Sequence, residues 1–157
     1  MEGTSFDELE LFRAIATSQA RALLIGRRAL ITLGLPVLTR DYDFWLHIDD
    51  AALLNDAVRP FDLRPNRSPE DARQFGRYVL QNDEMVDVLV ARSVSTVDGT
   101  RVFFDDVWPR RRAVTIADGV QIFIPTIEDL ILTKRFGGRP KDAEDIRLLE
   151  ALQKRSQ

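Results

Sequence analysis

The sequence predicts an α/β fold of the α+β kind, with a mixed β-sheet flanked by helices. Two kinds of segment alternate along the chain. Some have apolar residues at every third or fourth position, as amphipathic helices do, and others are short apolar or alternating runs rich in β-branched residues, which are typical of strands. The chain has 157 residues, of which 45% are hydrophobic and 30% charged. Such a composition is ordinary for a soluble globular protein. We therefore expect residues 1–157 to form one domain.

The first part of the chain predicts a helix followed by a strand, a turn and a second helix. An amphipathic helix is expected over residues 6–19, and residues 21–25 form a short apolar strand. Gly26 follows this strand at once. A short helix over residues 27–33 then ends at Gly34-Leu35-Pro36, where glycine and proline stop helices.

The middle of the chain predicts one helix and one hairpin. The helix is expected over residues 50–58, and residues 60–69, rich in Pro, Arg and Asn, predict a surface loop near the functional site. Strands over residues 76–81 and 85–90 are close enough in sequence to pair. Residues 94–108 show no pattern that favours either helix or strand.

The last part of the chain predicts a second hairpin and two helices. Asp118-Gly119 is a strong turn signal between the apolar runs 114–117 and 120–124. Thr126 is a predicted helix N-cap, with an acidic residue three places on. After the loop 136–139, a final helix is expected to begin at Pro140.

Two aspartates one residue apart, Asp41 and Asp43, stand at the head of an aromatic strand that runs to Leu46. Successive strand residues point to opposite faces, so both carboxylates project from one side about 6 to 7 Å apart, while Tyr42 faces the other way. Mg²⁺ is typically held by one or two carboxylates, several waters and substrate phosphates. The pair therefore predicts a site for Mg²⁺, or Mn²⁺ in its place. Aspartates in this spacing also occur by chance, as turn or helix-cap residues.

The turn at Gly26 is a candidate phosphate-binding site. A glycine between a strand and a helix lets backbone N–H groups approach an anion at the positive end of the helix dipole. Arg27 and Arg28 follow it. Their guanidinium groups could bind a triphosphate bidentately, or they could crowd the turn that the phosphate must enter.

Asp87 and Lys134 are charged residues at positions that the pattern predicts to face inward. Asp87 lies in an apolar run typical of a central strand, where an unpaired carboxylate would cost several kcal/mol. It either pairs with an arginine or joins Asp41 and Asp43 at a metal. Lys134 lies on the apolar stripe of the helix that starts at Thr126, and it either reaches solvent or contacts a ligand.

These motifs resemble the nucleotidyltransferase superfamily of DNA polymerase beta. Gly26 lies fifteen positions before Asp41, with Gly34, Pro36 and Thr39 between them. This order is similar to that of the compact bacterial branch, which contains minimal nucleotidyltransferases and AbiEii-type toxins. The resemblance implies a nucleotidyltransferase-like fold and metal-dependent transfer of a nucleoside monophosphate from an NTP, such as ATP, to an acceptor hydroxyl.

The resemblance also implies roles for individual residues. Gly26 would contact the triphosphate, Lys134 would contact a phosphate, and the three aspartates would bind the metals, with Asp87 nearest the acceptor as a proton acceptor. The Lys141-Asp142 pair with Asp145 resembles the end of many members of the branch. On general grounds we expect these charges to serve helix-end electrostatics and a fold-stabilising ion pair rather than direct catalysis.

Arg27 departs from the small residue usual at its position in this superfamily. A catalytically degenerate binding protein, or one member of a toxin–antitoxin pair with a partner encoded nearby, is therefore a second hypothesis. An unrelated metal-dependent phosphohydrolase is a third. The acceptor is left open among RNA, protein and small molecules.

Composition excludes several classes of site. The absence of cysteine excludes disulfides, thiolate zinc sites and cysteine nucleophiles, and the single histidine, His47, excludes multi-histidine metal sites. No apolar run is long enough to span a membrane, and the acidic residues 1–7 differ from a signal peptide, so we expect a cytoplasmic protein. A net charge of −3 argues against broad coating of nucleic acid, although the arginines at 110–112 form a local basic patch.

Overall fold

The computed structural model describes residues 7–135 and 139–155. The helices of this part of the chain are α1 (Glu8–Thr17), α2 (Gly26–Thr32), α3 (Ala51–Val58), α4 (Pro69–Phe75), α5 (Phe104–Val107), α6 (Ile127–Arg135) and α7 (Pro140–Arg155). The strands are β1 (Ala22–Ile25), β2 (Tyr42–Leu46), β3 (Arg64–Pro65), β4 (Arg77–Gln81), β5 (Met85–Val90), β6 (Ser93–Ser95), β7 (Arg101–Phe103), β8 (Arg112–Ala117) and β9 (Val120–Ile124). Single turns of 3-10 helix lie at Arg59–Phe61 and Trp108–Arg110.

The central sheet has five strands in the order β1-β2-β5-β4-β3. Strands β2 and β5 are parallel, whereas the other neighbours are antiparallel. Two separate hairpins, β6-β7 and β8-β9, complete the strands of the described residues. A mixed sheet with helices packed around it confirms the predicted fold class.

The two faces of the central strands have different surroundings. On one face, alternate residues of β2 such as Tyr42 and Phe44 are buried in the main core together with Phe12 of α1. On the other face, Trp45 packs edge-on against Phe104, under the β6-β7 hairpin and α5. Trp45 also donates its indole N–H to the carbonyl of Ala91 at 2.8 Å. This second face is thus closed at the Trp45 end and open two residues earlier, at Asp43.

Most predicted elements are present with shorter boundaries. The helix expected over 6–19 is α1, which begins after Asp7, whose carboxylate accepts the N–H of Glu10 at 3.2 Å. Phe6 and residues 136–138 of the predicted loop lie outside the described residues. Both predicted hairpins are present, β4-β5 and β8-β9. Among the described residues no helix combines the length and the apolar character needed to cross a membrane.

Residues 60–69 are mostly exposed, as predicted for a surface loop, but the segment is not entirely irregular. The segment contains the edge strand β3 and the start of α4, for which Ser68 is the N-cap and accepts the N–H of Asp71 at 3.1 Å. A serine before Pro69 is a helix-start signal, but a helix of seven residues has too little periodicity to be recognised. Residues 94–108, which had no predicted structure, form most of β6, all of β7 and α5, and the start of a 3-10 turn.

Candidate active site

Three aspartates line one cavity at the open end of the central sheet. Asp43 of β2 lies directly opposite Asp87 of β5 in the parallel register, on neighbouring strands that are about 4.8 Å apart. Asp41 is exposed and comes just before β2 begins. All three line one cavity of about 800 Å³. The structure therefore brings together the three acids that the sequence analysis proposed.

The same cavity receives most of the other predicted site residues. Gly26, Arg27 and Lys134 line it, whereas Arg28 does not belong to its lining. Arg28 instead pairs with Glu8 at 3.2 Å, and its guanidinium stacks 4.1 Å from the centre of the Tyr42 ring. Its side chain thus supports α1 against the opposite face of β2. A nucleotide-binding role for Arg28 stays a prediction that this geometry does not support.

Asp43 is the acid whose ionisation is most hindered. The pKa of its carboxyl is raised to about 6, first by burial and then by the negative charges of Asp87 and Asp41, while Lys134 and Arg139 act in the opposite direction. Crowded carboxylates repel one another when ionised, so a bound cation would relieve the repulsion. This electrostatic arrangement is the one expected of a site that could hold a divalent metal.

The donor set suits a hard cation that is shared with a substrate. In the described residues, no three acidic or histidine side chains converge closely enough to form a ready-made metal cage. Asp43 and Asp87 instead form an open pair of oxygen donors, with Asp41 at the cavity edge. Mg²⁺ is commonly bound in this way, through one or two carboxylates, waters and substrate phosphates.

The raised pKa of Asp43 makes stability depend on pH. The folded protein binds this proton more tightly than the unfolded chain, so stability is lost as the pH rises from about 4 to about 6. We expect Asp43→Asn to be more stable than the wild type at pH 7.5 without divalent cations, by about 1 to 3 kcal/mol. Urea unfolding at pH 4.5 and 7.5 measures this, and an equal difference between the two proteins at both pH values would contradict it.

Gly26 allows the close approach of the turn to Asp43. Its φ is +70°, a conformation that strongly favours glycine, and a Cβ there would lie 2.8 Å from Oδ2 of Asp43. The carboxylate would have to turn away to make room. The Asp43 carboxylate can therefore occupy its observed position only because residue 26 has no side chain.

Alanine at Gly26 should disable the site, whereas alanine at Gly119 should not. Gly119 has a similar φ of +75°, but a Cβ there meets no atom within 4 Å. Both substitutions should cost about 1 to 2 kcal/mol of stability through backbone strain. Only Gly26→Ala should weaken the Mg²⁺-dependent NTP binding that the family resemblance implies, because only it displaces Asp43. Equal nucleotide binding by the two variants, measured by calorimetry, would show that the Gly26 contact does not matter.

A buried carboxylate, Asp145 of α7, holds two of the cations next to the cavity. Asp145 is fully buried and accepts a hydrogen bond of 2.8 Å from Lys134 Nζ. It also accepts two bonds of 3.2 Å from Arg27 Nε. Lys134 is itself only 6% exposed. The alternative in which Lys134 reaches solvent is therefore wrong, because the buried ion pair satisfies its charge inside the protein.

Asp142, the other acid of the C-terminal motif, pairs with Arg139. The Arg139 guanidinium donates to Asp142 at 2.9 Å, and this hydrogen bond lowers the pKa of the Asp142 carboxyl. Together with the Asp145 pairs, this geometry agrees with the expected fold-stabilising role of the motif. Both clusters border the acid cavity, so they also shape its wall.

Sequence reasoning missed the part of the cavity formed by α4 and β4. Arg67, Phe75 and Arg77 line it on the side of Asp87. The only available signal was the helix start at Ser68, which would have placed Phe75 at the end of a helix directly before a strand. Arg67 lies in the predicted loop 60–69, Arg77 lies in the predicted strand 76–81, and Phe75 lies between them, so no pattern in the sequence singles out these three residues.

Comparison with known proteins gives matches among solved structures. No protein-family model matches the chain, and no curated protein is significantly similar to it. The proposed nucleotidyltransferase TM1012 of Thermotoga maritima superposes with a TM-score of 0.57 at 18% identity, over 92% of this chain and 89% of that one.

Two further solved structures are of proteins whose names refer to antibiotics. The antibiotic-resistance factor ANT(2'')-Ia has a TM-score of 0.62 at 15% identity, covering 89% of this chain and 78% of its own. The lincosamide antibiotic adenylyltransferase LnuA, solved with lincomycin bound, has a TM-score of 0.61 at 14% identity, covering 94% and 98%. At these identities the likeness shows the fold. The chain has a nucleotidyltransferase-like fold, and the AbiEii-type branch stays a prediction.

Proposed function

We propose that the chain is a metal-dependent nucleotidyltransferase, which moves a nucleoside monophosphate from an NTP to an acceptor hydroxyl with release of pyrophosphate. The observation that carries the proposal is the direct opposition of Asp43 and Asp87 on parallel strands, inside a cavity that Gly26 also borders. The fold shared with LnuA and TM1012 supports the same reaction class.

Each acid has a role that follows from its place in the sheet. Asp43, between Gly26 and Asp87, and Asp41 at the cavity edge would hold the Mg²⁺ or Mn²⁺ ions together with Asp87. The bound metal would neutralise charge on the phosphates and the leaving group. Asp87 lies one strand farther from Gly26, and its carboxylate would accept the proton of the attacking hydroxyl, as the family resemblance implies.

The cations beside Gly26 would have to be shared with the substrate. Arg27 and Lys134 both face the cavity, yet both are paired with Asp145. A triphosphate in the cavity would also attract them, and the side chain of Arg27 is 21% exposed. We assign both residues to the phosphates of the NTP.

A second candidate function is a non-catalytic binding protein of the same fold, including a toxin–antitoxin partner. One observation favours it, which is that Arg27 and Lys134 are already paired with Asp145 inside the protein. Such a protein would bind a nucleotide or a protein partner without transferring a nucleoside monophosphate.

Label transfer distinguishes the two functions. The protein is incubated with each α-phosphate-labelled NTP and Mg²⁺ or Mn²⁺, in the presence of RNA, protein and lincomycin as acceptors. A labelled acceptor that is absent without metal, and absent with Asp87→Asn, would support the transferase. Release of free phosphate without a labelled acceptor would indicate a phosphohydrolase, and nucleotide binding without any product would favour the non-catalytic protein.

A further inference from the structure

The cavity continues past Asp87, away from Gly26, over strand β4. Val79 lies opposite Asp87 in the antiparallel register, and Arg77 lies opposite Leu89. Cross-strand partners share a face of the sheet, so both β4 residues face the same cavity as the acids. Asn66 lies beside Val79 on this surface, and its side-chain oxygen accepts the N–H of Val79 at 2.8 Å.

An arginine and a phenylalanine form the outer edge of this surface. The Arg67 guanidinium carbon lies 4.4 Å from the centre of the Phe75 ring, and Arg67 Nη1 donates to the carbonyl of Arg77 at 2.6 Å. The guanidinium is thus held on two sides. Phe75 nevertheless remains 65% exposed. We call Arg67, Phe75 and Arg77 the Arg–Phe wall.

The Arg–Phe wall carries positive charge without a matching carboxylate. Among the described residues, no acidic side chain lies within salt-bridge distance of Arg67 or Arg77. By contrast, Arg27, Lys134 and Arg139 on the other side of the cavity are all paired with aspartates. A cationic ligand would have no carboxylate to pair with at the wall. An anionic ligand with a planar aromatic ring would have an arginine for its charge and Phe75 for its ring.

The geometry of transfer at a phosphorus atom indicates which substrate would bind at the Arg–Phe wall. The attacking oxygen and the leaving oxygen stand roughly in line on opposite sides of the phosphorus. If the triphosphate occupies the Gly26 side, the leaving pyrophosphate lies on that side and the acceptor enters from the side of Asp87. The body of the acceptor then extends over Val79 to the Arg–Phe wall.

We propose that the Arg–Phe wall is the acceptor subsite and binds a nucleotide unit that presents a free hydroxyl. Its base would pack against Phe75 and Arg67, and its phosphate would bind Arg77. The acceptor O–H loses its proton to Asp87, its oxygen bonds to the α-phosphorus, and the bond from that phosphorus to pyrophosphate breaks. The assignment rests on the proposed function. The nucleotide unit is either a free nucleotide or the end of a single strand.

Binding of labelled oligonucleotides tests the assignment without requiring catalysis. Fluorescence anisotropy is measured with a single-stranded RNA and a single-stranded DNA of eight nucleotides, and free nucleoside monophosphates are added as competitors. Phe75→Ala and Arg77→Glu should each weaken binding at least about fivefold, the lower end of the effect of one stacked base. Binding should also weaken as salt is raised.

A second exposed arginine–phenylalanine pair is the matched control. The Arg101 guanidinium lies 5.4 Å from the Phe103 ring, and neither residue lines the cavity. Phe103→Ala and Arg101→Glu should therefore leave binding unchanged. Equal weakening by the two pairs of variants, or binding by neither oligonucleotides nor free nucleotides, would overturn the proposal. Weakening only at the Arg–Phe wall would support it, and the better ligand would identify the source of the nucleotide unit.

The same variants separate this proposal from the proposed function. Binding of Mg²⁺ with an NTP should survive Phe75→Ala and should be lost in Asp43→Asn. If the wall binds nucleotides while neither NTP binding nor transfer occurs, the transferase function fails and the subsite stands. If transfer to another acceptor proceeds normally in Phe75→Ala, the function stands and the subsite is refuted.

Discussion

Replacing Asp43 by asparagine should reduce metal-dependent nucleotide transfer by about 10²- to 10³-fold, the range found when one electrostatic stabiliser of a transition state is removed. Asparagine keeps the shape of the side chain and removes the charge that would bind the metal. Asp43 lies between Gly26 and Asp87, at the centre of the proposed site. Initial rates of label transfer at saturating Mg²⁺ measure the effect.

The control for Asp43→Asn is Asp49→Asn. Asp49 lies past the opposite end of β2, is 57% exposed, and does not line the cavity. Its substitution should leave transfer within about twofold of the wild type, as for an ordinary surface residue. Full transfer activity of Asp43→Asn, with a circular dichroism spectrum of a folded protein, would contradict the proposed site.

The largest loss of stability should follow Asp145→Asn. Asp145 is fully buried and is the shared partner of Lys134 and Arg27. Without its charge, the ammonium group of Lys134 is left buried and uncompensated, which typically costs about 3 to 5 kcal/mol. For a domain of this size we expect the melting temperature to fall by roughly 6 to 20 °C.

Asp129→Asn is the matched control for this prediction. Asp129 is nearly as buried as Asp145, but its partner Arg110 is 51% exposed and can turn to solvent. We therefore expect a smaller cost, about 1.5 to 3 kcal/mol. The double variant Asp145→Asn with Lys134→Met should recover part of the loss, because it removes the buried charge as well. An Asp145→Asn protein as stable as Asp129→Asn would mean that Lys134 escapes to water.

The acids of the site could be predicted because their signals are local. The alternation of β2 places Asp41 and Asp43 on one side of the chain, and the apolar run around Asp87 marks a central strand. Neither sequence pattern predicts that β2 and β5 are neighbours in the sheet. The family resemblance implies only that a carboxylate on a later strand completes the site, and the parallel pairing of β2 with β5 in the structure places Asp43 opposite Asp87.

The surroundings of the acids could not be predicted because they depend on contacts between distant residues. Arg27 and Asp145 are 118 positions apart, and no periodicity links them. Arg28 follows Arg27 in sequence but points to Glu8 and Tyr42, since neighbours on a helix lie about 100° apart. The Arg–Phe wall needs the short helix α4 to end at Gly76 and turn into β4, which tertiary packing decides.

Metal-dependent nucleotide binding tests the central claim most directly. The experiment is a calorimetric titration of an ATP analogue, with a carbon bridge between its α and β phosphates, into the wild type and into Asp43→Asn. We expect the wild type to bind at least about tenfold more tightly with Mg²⁺ than with EDTA, a difference of about 1.4 kcal/mol, and Asp43→Asn to lose that difference. Equal affinity with and without Mg²⁺, or the same Mg²⁺ dependence in both proteins, would contradict the claim that these aspartates hold a metal–nucleotide complex.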